Sequence, residues 1–197
     1  MQARKDDKRP NLRPITVAEY HRMGESGYFA PEERVELLDG ELIAMPPMSP
    51  EHAASVSALD RFFQRRVGEQ AWISPQGAIT LDPISEPQPD IIIGVVGDDK
   101  YWTAHPTPDD ALLVVEVPKS TLAFDRGKKL RAYARCRVRE YWIVDLVHER
   151  VEVYRKPRGQ RYTKHQTVER GGTVAPDTFP DAVLAVDEIL PPRTPGM

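Results

Sequence analysis

At 197 residues, 40% hydrophobic and 29% charged, the chain is long enough to bury one substantial core and has the balance of a soluble globular domain. Its single cysteine, Cys136, excludes an internal disulfide and any zinc site built from several cysteines. No apolar run approaches the roughly 18 residues of a membrane span and no signal-type segment opens the chain, so a cytoplasmic protein with no membrane partner is expected.

The net charge of -3 argues against a uniformly basic nucleic-acid binder, yet the mean hides a division. From Gly24 to Asp60 the acidic residues face only Arg34, whereas from Lys119 to Arg139 only Asp125 opposes a run of lysines and arginines. Such a stretch can attract phosphates. A solvated helix face produces the same pattern, so charge alone does not decide.

In chain order, residues 1–14 read as a flexible basic arm, 15–188 as a single domain and 189–197 as a flexible, proline-rich tail. Thr16 with Glu19 forms a capping-box pattern and predicts a helix start. Val35 to Met45 reads as a hairpin turning at Asp39-Gly40, because both residue types accept positive φ. Ser49-Pro50 then predicts a helix over 51–67 with Val56, Leu59, Phe62, Phe63 and Val67 on its apolar face. Short strands are expected near 71–74 and 78–81, followed by the proline-rich turn 85–89. The aliphatic runs Ile91–Val96 and Ala111–Val117 read as central strands covered on both faces. A helix is expected over 125–136, a strand over 140–145, and a strand over 151–154 pairing with it. Together these predict a mixed α/β domain with a central sheet flanked by helices.

Two carboxylates stand out against this frame. Asp90 opens one central strand and Glu116 nearly closes the other, where an unpaired buried carboxylate would be costly. Lysines follow just downstream. Two carboxylates, with a backbone carbonyl such as that of Val117, are the oxygen set that holds magnesium beside a phosphate, and a nearby ammonium can steady the charge of phosphodiester hydrolysis. Taken singly, each carboxylate is better explained as a solvated or arginine-paired strand end, Glu116 less readily than Asp90.

Several ordered motifs add to this. Glu36-Leu37-Leu38-Asp39-Gly40-Glu41, Met48-Ser49-Pro50 with His52, and Ser85-Glu86-Pro87-Gln88-Pro89-Asp90 come first. Glu116-Val117-Pro118-Lys119-Ser120-Thr121, Asp125-Arg126-Gly127-Lys128-Lys129-Leu130, Tyr133-Ala134-Arg135 and Glu140-Tyr141-Trp142-Ile143-Val144-Asp145 follow. From about Thr16 to Asp187 the chain resembles the Uma family of restriction endonucleases, within the PD-(D/E)XK restriction-endonuclease-like superfamily. The resemblance implies that fold, makes Asp90 and Glu116 the metal-binding pair, and brings Glu36, His52 and Gln76 toward the same site. The superfamily lysine two residues after the glutamate is replaced here by Pro118, and the resemblance moves that role to Lys129, with Lys119 as the rival. Arg137 and Arg139 stand where family members commonly carry Gly and Pro.

The expected activity is therefore a Mg2+- or Mn2+-dependent endonuclease acting on nucleic acid, DNA in particular. Asp90, Glu116 and Val117 would hold the metal, Lys129 would stabilise charge, and Glu36 and His52 would assist. His52 and Glu36 also have plainer readings, as a helix-cap residue and an exposed strand residue. A homodimer is expected from the two-fold symmetry of a duplex. The alternative is a catalytically inactive nucleic-acid- or partner-binding module on a nuclease fold; a hydrolase of other phosphate esters is a third. Tyr133, Trp142 and Cys136 read as structural.

Overall fold

The computed structural model describes residues 12–97 and 100–193, with Lys100 as backbone alone. Most of the expected N-terminal arm and the last four residues of the tail lie outside that range. Thr16 caps helix α1 (Val17–Glu25) through a complete capping box with Glu19. The hairpin follows as β1 (Val35–Leu38) and β2 (Glu41–Ala44), and its turn residues Asp39 and Gly40 take φ of 52° and 73°. Ser49 accepts from the His52 amide at the start of α2 (Pro50–Val67).

Strands β3 (Trp72–Pro75), β4 (Ile91–Gly94), β5 (Ala111–Glu116), β6 (Glu140–Asp145), β7 (Arg150–Arg158) and β8 (Arg161–Glu169) form one six-stranded sheet in that order. Only β5 and β6 run parallel. Their crossover consists of α3 (Leu122–Phe124), a π-helical turn (Asp125–Lys129) and α4 (Leu130–Arg135). Two short strands, β9 (Thr173–Val174) and β10 (Leu184–Ala185), pair separately.

The central strands are buried on both faces because alternate residues feed two cores. Ile91, Ile93, Leu113, Val115, Trp142 and Val144 pack with Leu59, Phe63 and Val67 of α2. Ile92, Val114, Tyr141 and Ile143 pack on the other face with Ala132, Tyr133 and Ala134 of α4. The restriction-endonuclease-like reading of a mixed sheet between helices matches this architecture.

Several details differ from the sequence reading. Residues 78–81 form no strand; Thr80 and Leu81 donate instead to Pro106 and Ser85, with only a bridge at Asp82 and Ser85. The helix expected over 125–136 begins at Leu122 and widens to π geometry over 125–129. The expected tail boundary at 189 falls within packed chain, since Ile189 and Leu190 are buried and Arg170 donates to the Pro191 carbonyl at 2.7 Å. Among the described residues, no helix is long and apolar enough to cross a membrane.

Candidate active site

The register of β4 and β5 brings the two carboxylates together. Ile91 pairs with Val115, so Asp90 and Glu116 are the next residues facing each other at the same sheet end. Both therefore project to the α4 face, and both are buried. The Val117 amide donates to Asp90 Oδ2 at 2.8 Å, which holds that carboxylate against the end of β5.

Lys129 and Tyr133 lie one helical turn apart and reach the same atom. Lys129 Nζ and Tyr133 OH each donate to Glu116 Oε1 at 2.8 Å. Glu36, on β1, also pairs with Lys129 at 3.0 Å, and its Oε2 accepts from the Gln88 amide at 3.0 Å. Asp125 is the third buried group on this helix face and accepts from Thr121 Oγ1 at 2.7 Å.

Acids outnumber bases in this buried cluster. Burial pushes Glu116 well above the usual carboxylate range; Lys129 opposes that rise, while Asp125, Asp90 and Glu36 add to it. Burial likewise raises Asp125 to about 6, against the pull of Lys129 and Thr121. For Lys129, burial alone would favour the neutral amine, but Glu116, Glu36 and Asp125 together outweigh it and hold the ammonium.

His52 closes the site from α2. Its Nδ1 lies 2.9 Å from the Val117 carbonyl, which can only accept, so Nδ1 carries the proton. Its Nε2 lies 3.0 Å from Asp90 Oδ1, an ion pair when the ring is protonated. The Asp90 carboxylate, against burial, holds the imidazole above its ordinary pKa. The His52 backbone is bonded at the helix cap, and its ring spans Asp90 and Val117.

These groups open into a cleft of about 500 Å³ lined by Glu36, His52, Asp90, Glu116, Val117, Asp125 and Lys129, with Arg34 and Lys119 also on its wall. Lys119, the rival lysine, pairs with Glu51 at 3.1 Å and is about half exposed, whereas Lys129 is buried against the two glutamates. Gln76 does not line the cleft: its amide donates to the Asp90 carbonyl at 2.9 Å while its side chain turns to Met48 Sδ.

Sequence reasoning missed Asp125 as a member of the site and took Tyr133 for core alone. Their spacing, four residues on either side of Lys129, was the available signal. The basic stretch 119–139 is largely engaged within the fold. Lys128 pairs with Glu41 at 2.7 Å, Arg135 with Asp39 at 2.8 Å and Asp82 at 2.9 Å, and Arg126 with Glu152 and Asp145.

A mixed sheet whose central strand ends present an acidic pair to a helix-borne lysine defines an α/β domain of nuclease fold. A family model, "Uma2: putative restriction endonuclease", matches residues 17–187, and the chain belongs to that family. Among solved structures, a protein from Anabaena variabilis described as "a putative nuclease belonging to DUF820" shares the fold at a TM-score of 0.67 and 16% identity. That match covers 89% of this chain and 97% of the other. No curated protein matches the chain.

Proposed function

We propose that the chain is a metal-dependent endonuclease that hydrolyses phosphodiester bonds in DNA. The observation that carries this reading is the placement of Asp90 opposite Glu116 at one sheet end, with Lys129 Nζ 2.8 Å from Glu116. The donor set fits a hard divalent cation. Its carboxylates exceed its cations, and the Val117 carbonyl keeps a second lone pair after bonding His52. Asp90, Glu116 and Val117 would hold Mg2+ or Mn2+. Such an ion, when bound, neutralises phosphate charge and lowers the pKa of water.

The remaining work falls to the side chains. Glu36 and Glu116 both pair with Lys129, so its ammonium is pre-positioned and brings fixed positive charge to the scissile phosphate. His52, anchored by the Val117 carbonyl, can hold or pass a proton at Nε2. Arg34 and Lys119 add positive charge on the cleft wall where a phosphate backbone would run. A two-fold dimer, as expected from duplex symmetry, would present two such clefts to the two strands.

The test is cleavage of supercoiled plasmid with Mg2+, Mn2+ or EDTA. Metal-dependent nicking or linearisation, abolished in Glu116→Ala and reduced about 10²–10³-fold in Lys129→Gln, is the expected result. Plasmid left intact with either metal overturns the reading and moves the inactive binding module forward; DNA binding indifferent to metal and to Asp90→Ala would then identify it.

A further inference from the structure

Glu86 is a buried acid that the nuclease reading does not use. Its backbone is pinned to β1, with the amide donating to the Leu37 carbonyl at 2.7 Å. Its Oε2 accepts from Thr80 Oγ1 at 2.6 Å, and its Oε1 faces His21 Nε2 of α1 at 2.5 Å. His105 completes the group. Its ring meets that of His21 edge-on at 6.1 Å, and its segment is tied to Thr80, whose amide donates to the Pro106 carbonyl at 2.9 Å. One ligand atom from each of His21, Glu86 and His105 lies within 4.8 Å of the other two. Among the described residues this is the one grouping of three His, Cys, Asp or Glu ligands so close together. None of the three lines the catalytic cleft.

We propose that His21, Glu86 and His105 form a second metal site, for a borderline first-row ion of the Zn2+ class. Two imidazole nitrogens and one carboxylate suit zinc and discriminate against Mg2+ and Ca2+, which take oxygen sets. The carboxylate is already oriented by Thr80, as the outer partner of a metal ligand should be. Both histidines are exposed, so an ion can enter from solvent and keep a water in its remaining position. A metal takes the lone pair of His21 Nε2, so binding releases to solvent whatever proton that nitrogen carries.

The ion would clamp three segments distant in sequence: α1, the stretch 80–86 and the loop before β5. The chain from Glu86 continues directly to Gln88, whose amide holds Glu36, and to Asp90. The site is thus a structural clamp on the segment that delivers a cleft carboxylate.

The test is Zn2+ uptake by the full, tag-free chain after removal of bound metals, in excess Mg2+, with His21→Ala, His105→Ala, Thr80→Val and His52→Ala compared by calorimetry. The expected result is one Zn2+ per chain, with affinity lowered about tenfold or more by the first three substitutions and unchanged by His52→Ala. Far-UV circular dichroism checks folding, and His105→Gln supplies a conservative second variant at that surface position. No uptake by the wild type overturns the proposal. So does uptake that survives both histidine variants, or uptake lost only in His52→Ala, which would place the ion in the cleft.

Discussion

Glu116 accepts from Lys129 and Tyr133 on the same oxygen, so one carboxylate atom is held by both a cation and a phenol. The phenol was legible only as an aromatic in an apolar helix face; its hydroxyl points to the acid because Lys129 and Tyr133 share that face one turn apart. Burial, with Glu116 beside it, raises the Tyr133 pKa well above its usual value, so it remains a donor throughout the working pH range. Tyr133→Phe is expected to cost about 1–3 kcal/mol of stability in urea unfolding, the range for stripping a donor from a buried charged group. A hydrogen bond to the ionised form lowers a carboxylate pKa, so losing it raises Glu116 further. The acid limb of the cleavage–pH profile should then move to higher pH; an unmoved limb would show that the phenol does not tune Glu116.

At the scale of elements, two local devices place the site. The π-helical turn 125–129 carries Asp125 and Lys129 inward together, an irregularity of the kind that recurs at functional sites. Binary patterning reads that stretch as ordinary helix, because the pattern of apolar residues does not report a single widened turn. The hairpin delivers Glu36, and its Asp39-Gly40 turn was plain in the sequence. Its second constraint was not: a Cβ added to Gly40 would lie 2.2 Å from Pro14 Cβ, and the Gly40 carbonyl accepts from Ile15 at 3.0 Å. Gly40→Ala therefore combines left-handed strain with a clash and should lose about 2 kcal/mol or more. Gly159→Ala, at φ +62 with open space around it, should lose only the conformational part, about 1 kcal/mol. Equal losses in thermal melts of the two variants would contradict the packing role of Gly40.

Across the whole molecule, the buried carboxylate cluster works against stability. Glu36, Asp90, Glu116 and Asp125 share one buried region, and the raised pKa of Glu116 reports their mutual repulsion as well as burial. A cation that binds there must stabilise the folded state by linkage. Magnesium at about a hundredfold excess over Kd is expected to add about 2.7 kcal/mol, or roughly 5–10 °C in Tm for a chain of this size. EDTA should reverse the rise and Glu116→Gln should remove it. A rise of the same size in Glu116→Gln would put the stabilising magnesium elsewhere.

The sequence by itself determined what local rules can reach. Caps at Thr16 and Ser49, the Asp39-Gly40 turn and the doubly buried central strands follow from residue types and their spacing, and the motifs around Asp90 and Glu116 carry the family resemblance. Strand β8 escaped notice because its mostly exposed side chains give no apolar alternation; its pairing to β7 supplies what its pattern lacks. Only the tertiary structure shows that Lys129, and not Lys119, is buried against Glu36 and Glu116, since both are lysines near the end of β5 and burial is a property of the packed helix. The same holds for His52, Asp125 and the His21–Glu86–His105 group. Each depends on contacts between segments far apart in the chain, and no local periodicity encodes a distance between side chains on different elements.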